Sequence, residues 1–193
     1  MHARTIFAVA LVSGLCGCQR TLLQQAPAQA GCDARLVGLW LSVDESGRTG
    51  EMRARVGEDC TLDLDEEQAD SRRSHPQTRL ATAELGSSTI LWVDGAWGSQ
   101  TQSVDATVLD AAGSVYVFEY AVEADALTLW PPDHVHIAHA IIDGDIEGAT
   151  LKVDSDLVSR LDGDPAELRE ALQRSGLFDR GQPLRFQREA GDP

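Results

Sequence analysis

The sequence predicts a mainly β domain, an antiparallel meander forming a barrel or sandwich, with one C-terminal helix before a last strand. Short runs rich in Val, Ile, Leu, Thr and aromatics recur at spacings of about ten residues, separated by Gly, Asp and Ser turns. Val115, Val117 and the opposite-facing Tyr116, Phe118 and Tyr120 make one run apolar on both faces, as a central strand requires. A single segment, opened by Asp164-Pro165 and followed by Gly176, carries complete helical punctuation.

The chain opens with His2 and Arg4, then an apolar stretch from Ile6 to Leu15, the order of an export signal. The stretch is shorter than the about 20 apolar residues that cross a bilayer as a helix. Leu15-Cys16-Gly17-Cys18 resembles the lipobox of bacterial lipoproteins: a large aliphatic residue, a small one, and the cysteine that such proteins lipidate. Cys16 departs from the small or β-branched residue that usually stands there. The resemblance implies a signal peptide over 1–17, a lipidated Cys18 as mature N-terminus and, with Gln19 rather than Asp after it, an outer-membrane anchor facing the periplasm. Several acyl chains would hold it there firmly, at about 0.8 kcal/mol per buried methylene. Residues 18–31, rich in Gln and Ala, read as the lipidated cysteine and a flexible tether, and 32–193 as one β-rich domain.

With Cys16 removed and Cys18 acylated, Cys32 and Cys60 remain as an even pair in an oxidising compartment, and a disulfide is expected. The net charge of −15 excludes nucleic acid as a partner, because a phosphate backbone demands a basic surface. It keeps the domain off anionic headgroups and leaves divalent cations open.

Strands are expected over 36–43, 52–56, 61–64, 79–83, 88–93, 104–109, 114–122, 126–130, 134–142 and 149–153. The helix follows, with Asp164 as cap, Pro165 at its first position, Glu167 in the first turn and an apolar stripe of Leu168, Ala171 and Leu172. Residues 184–187 read as the last strand. Gly38-Leu39-Trp40 then resembles the Gly-x-Trp of the first strand of lipocalins, within the calycin group of small barrels, although the Thr-Asp-Tyr element of that family is absent. The resemblance implies a lipocalin-like barrel in which Arg185 or Arg188 of the closing strand packs over Trp40 at the barrel end. The chain also resembles small strand-rich proteobacterial lipoproteins, which implies the compartment and no activity.

His134-Val135-His136-Ile137-Ala138-His139 is the sharpest chemical cluster. On a strand, His134 and His136 would share a face and seat zinc or copper, with His139 and Asp133 as further ligands. The spacing resembles the His-x-His-x-Asp-His of metallo-β-lactamases, but Ala138 stands where the acid belongs and, once the signal peptide with His2 is gone, His75 is the one histidine left to supply more ligands. The same alternation fits a half-buried strand with a wet face. Asp143, Asp145, Glu147 and Asp154, with Gly148 at the sixth position, fall on the EF-hand calcium-loop spacing, and a hairpin turn explains them equally. Asp63, Asp65, Glu66 and Glu67 form an acidic run of the kind found on wet edges. Trp92, Trp97 and Trp130 suit either a ligand pocket or the core.

No nucleophile elbow, phosphate loop, dinucleotide fingerprint or His-Glu-x-x-His is present, so no catalytic residue is assigned, enzymatic activity is left open without a motif to support it, and no cofactor is required beyond the divalent metal just considered. The expected role is non-enzymatic, binding a small apolar ligand or an envelope protein. The alternatives are a structural or interaction module without a ligand, and a metal-binding protein.

Overall fold

The computed structural model describes residues 19–68, 71–101, 113–153, 156–174 and 176–189. Thirteen strands form one mixed sheet that does not close. In chain order they are β1 (Gln19–Leu23), β2 (Gly38–Val43), β3 (Thr49–Val56), β4 (Thr61–Gln68), β5 (Ser71–Ser74), β6 (Thr78–Arg79), β7 (Ala81–Leu85), β8 (Ser88–Asp94), β9 (Val115–Glu123), β10 (Ala126–Trp130), β11 (Gly148–Val153), β12 (Asp156–Leu161) and β13 (Leu184–Arg188). The α-helices are α1 (Gly95–Thr101), α2 (His134–Ile142) and α3 (Pro165–Leu172), and a 3-10 turn covers Ala34–Leu36.

Antiparallel neighbours run in the order β9-β10-β13-β2-β3-β4, and β8 lies on the other side of β9 with β7 beyond it. β6 and β7 are separated by Leu80 alone, yet β6 pairs with β4 and β7 with β8, so this short segment spans the gap between the two ends of the meander. A second branch leaves β9 through β1, which runs parallel to β12, with β11 as the outer strand. The architecture is that of an open barrel or sandwich.

Side-chain alternation along β8 and β9 divides the interior into two cores. Leu91, Val93, Tyr116 and Tyr120 point to the concave side, where they meet Trp40, Val56, Leu62, Leu127 and Phe186 from strands around the sheet. Ile90, Trp92, Val115 and Val117 point outward and are covered by Ile137 of α2, Leu168, Ala171 and Leu172 of α3, and Leu177 and Phe178. The run apolar on both faces is therefore central, as its pattern requires. The helix 165–172 carries the Asp164 cap expected of it and completes it as a capping box, Asp164 accepting from Glu167 N while the Glu167 side chain accepts from Asp164 N at 2.7 Å. Cys32 and Cys60 are disulfide-bonded, pinning the segment before β2 to the β3–β4 turn.

Two expectations are corrected. Residues 19–31 are not a tether: β1 inserts beside β12, Leu22 and Leu23 are 3% and 0% exposed, Gln24 and Gln25 bond the backbone of Gly163, and Gly31 bridges Thr82. Two adjacent leucines, facing opposite cores, supply the burial that the surrounding Gln and Ala conceal. Residues 134–142 form a helix rather than a strand, because Asp133 caps it by accepting from His136 N, the neighbours Ile137 and Ala138 are both buried where a strand would turn one of them to the opposite face, and Gly144 (φ +80°) follows the end. β5, β12 and α1 add elements not expected from the sequence. The expected strand 104–109 lies outside the described residues.

Candidate functional site

Trp40 lies on β2. Its side chain is fully buried and its Nε1 donates to Leu36 O at 2.7 Å, tying the strand to the 3-10 turn before it. The Arg188 guanidinium lies 4.1 Å from the ring centroid, donates through Nη2 to Arg35 O at 2.7 Å and through Nη1 to Val37 O, and has Asp125 3.6 Å away. Arg185, expected as the alternative partner, is exposed and pairs across from Val43. Gly38 is required here: its φ is +126°, and a Cβ on it would sit 2.6 Å from Arg188 Nη1. These contacts close one end of the concave core.

A second arginine–tryptophan stack, not legible in the sequence, involves Arg180, whose guanidinium lies 4.3 Å from the Trp130 centroid and pairs with Glu119. Glu119 is nearly buried in the middle of β9, and an acid inside so apolar a run is the signal that a cation must come from elsewhere. Tyr120 likewise donates to Asp33 at 2.7 Å. Burial raises the Asp33 carboxyl, but hydrogen bonds from Arg35 and Tyr120 outweigh it and hold the group below its usual range. Trp92 lies in the outer core, Trp130 packs against that core, and Trp97 packs beside the concave one with its Nε1 donating to Pro76 O.

The histidine cluster is dispersed by the helix. At 100° per residue, positions two apart face nearly opposite ways, so the shared strand face does not exist. His134 turns inward, with Nδ1 2.9 Å from the Thr21 hydroxyl of β1, while His136 and His139 are exposed and Asp133 is spent on the cap. His75 lies beyond β5, its Nε2 3.2 Å from Glu66 Oε1. Asp143 caps the end of α2, and Asp145 and Glu147 are exposed in the turn into β11, so a strand stands where an EF-hand needs its second helix; Asp154 lies outside the described residues. Among the described residues no three His, Cys, Asp or Glu side chains converge as a metal site. Cys18 also lies outside the described residues, and among those described no helix is long and apolar enough to cross a membrane.

Burial pushes the His134 imidazole down to about 4, helped by Arg20 and opposed by Asp133 and Asp179. The ring is thus neutral in the fold, sharing one hydrogen bond between Nδ1 and the Thr21 hydroxyl. An unfolded chain takes up the proton near pH 6.5 and the folded one only near 4, so stability is full above about 6.5 and falls as the pH drops towards 4. The expected loss is about 3 kcal/mol across that window, at 1.36 kcal/mol per pKa unit. Urea unfolding at pH 7 and pH 4.5 measures it, and His134→Asn, which keeps an acceptor but does not titrate, is expected to flatten the difference.

The helices cover β1, β8, β9, β11 and β12. The outward side of β2–β5 instead carries charge in register: Arg53 opposite Asp65, Arg55 opposite Asp63, and Glu67 opposite Arg72. A depression of about 320 Å³ opens there, lined by Leu39, Arg53, Arg55, Asp63, Asp65 and Arg72. Arg53 pairs with Glu189 at 3.1 Å, and Gln77 donates to Asp63 at 2.9 Å. Hydrogen bonds from Arg72 and Ser74 hold the Asp65 carboxyl below its usual range. Asp63, Asp65 and Glu67 of the acidic run are one half of this face, while Glu66 points to the other side, towards His75; the basic half was legible as composition but not as a partner.

Compared with known families, curated proteins and solved structures, the chain matches none.

Proposed function

We propose that this is an outer-membrane-anchored periplasmic lipoprotein without enzymatic activity, which uses the outward face of β2–β5 to engage an envelope protein. The observation that carries the reading is the packing of the concave side. A carrier of apolar molecules keeps that space for its ligand, whereas here Trp40, Leu91, Tyr116, Tyr120, Leu127 and Phe186 meet in one buried cluster. The Arg188–Trp40 contact and the meander order support a calycin-like barrel whose interior has become a solid core. The open relief lies outside, where arginines and carboxylates alternate, a pattern suited to a partner with complementary charge rather than to a lipid.

A photo-crosslinker replacing Glu51, an exposed position on β3, tests this in intact cells. One discrete adduct is expected, reduced about tenfold or more by Arg53→Glu with Arg55→Glu, since a reversed interfacial charge costs about 2 kcal/mol or more. An adduct unchanged by the charge reversal, or an equal adduct from a crosslinker at Glu84 on β7, would contradict it.

A further inference from the structure

The lipid anchor and the first strand are separated by one peptide bond. Cys18 immediately precedes Gln19, the first residue of β1, a Cα–Cα step of about 3.8 Å. β1 cannot supply slack, because it is paired through its whole length with β12, Gln19 opposite Leu157 and Leu23 opposite Leu161. Its leucines lie in both cores. A flexible tether would leave the domain free to tumble; this connection does not.

We propose that the domain is docked on the bilayer, with the end of the sheet where β1 begins and β11 turns into β12 held against the lipid headgroups. The proposal rests on the reading of Cys18 as lipidated. Registers place the surface: Gln19 is opposite Leu157, which is opposite Lys152, so Lys152 stands two strand spacings, about 10 Å, from the start of β1. Lys152 is exposed and is the only lysine in the chain. Leu151 beside it is 44% exposed, and Val135, next to the His134 that bonds Thr21 of β1, is 48% exposed. These are two of the three large apolar side chains that stand out from the described surface; the third, Ile142, lies at the other end of α2. With a chain charge of −15, the apolar rim and the anchor, rather than attraction to anionic lipid, would hold this end down.

The sole lysine makes the test direct. The full chain, purified from membranes and reconstituted in zwitterionic phosphatidylcholine vesicles, is treated with an amine-reactive reagent, and the peptide carrying Lys152 is followed by mass spectrometry. The exported Cys18→Ser protein is the comparison. A docked population of about ten to one slows labelling about tenfold in the acylated protein. A lysine placed by Arg48→Lys in the β2–β3 hairpin, at the opposite end of the strands, is expected to label at equal rates in both. Inserting about ten Gly and Ser residues between Cys18 and Gln19, a reach of about 18 Å, is expected to restore labelling of Lys152. Acyl mass on Cys18 with Lys152 labelled at the soluble rate would overturn docking and leave the lipoprotein reading standing, and protection that survives the linker would overturn the argument from missing slack. No acyl mass on Cys18 would overturn both.

Discussion

Replacing Trp40 with alanine is expected to destabilise the domain by about 4 kcal/mol, within the range measured for buried aromatic truncations. The ring is fully buried in the concave core, so its loss opens a cavity among Leu36, Tyr120 and Phe186. It also leaves Leu36 O without its Nε1 donor and Arg188 without an aromatic face. Arg188→Ala removes the cation from the other side and frees two carbonyls, at Val37 and Arg35, at an expected cost of about 2–3 kcal/mol. The two losses overlap. In a double-mutant cycle the coupling is expected at about 1–2 kcal/mol, the worth of a desolvated cation over an aromatic face. Arg188→Lys is expected to recover only part of it, since an ammonium cannot stack and fork to both carbonyls together. Urea denaturation of the exported Cys18→Ser protein gives all four corners of the cycle, and additivity between the two sites would contradict the contact.

Loss of the disulfide is expected to be nearly as costly. Cys32 and Cys60 are 28 residues apart, a loop whose cross-link contributes about 3.5 kcal/mol in the chain-entropy account. At roughly 3 °C per kcal/mol for a chain of this size, Cys32→Ser with Cys60→Ser is expected to lower Tm by about 10 °C. The bond does more than close a loop, because it fixes the stretch that leads from the Gly31–Thr82 bridge into the 3-10 turn under Trp40. Reductant is expected to lower the Tm of the wild-type protein to the same value and to leave the double serine variant unaffected. Equal melting of all these forms would show that the pair is not bridged in the native protein.

What could be read in advance was what local chemistry dictates. The α3 cap needs only Asp164, Pro165 and Glu167, all within four positions, and the double-faced run of β9 needs only its own alternation. The cysteine pair followed from counting. What failed depended on partners distant in the chain. The α2 sequence is rich in β-branched Val and Ile and short, so its alternation of His and aliphatic residues imitates a strand. Its helical state is decided by burial of Ile137 and Ala138 against β1, β11 and β12. β1 was hidden because its parallel partner β12 lies more than a hundred residues away, and a parallel edge leaves no hairpin signal. The charged face shows the same limit. Alternating carboxylates at 63, 65 and 67 read as a wet edge, and nothing in that segment says that Arg53, Arg55 and Arg72 stand across from them.

We propose that the concave side of the sheet is a core and not a container. Native mass spectrometry of the exported Cys18→Ser protein, purified from the periplasm without detergent or chelator, decides between the two. The bare polypeptide mass is expected, because the side chains of Trp40, Tyr116, Tyr120 and Phe186 already occupy the space a ligand would need. A stoichiometric lipid-sized adduct that survives gentle desolvation would contradict it and return the domain to the ligand-binding barrels.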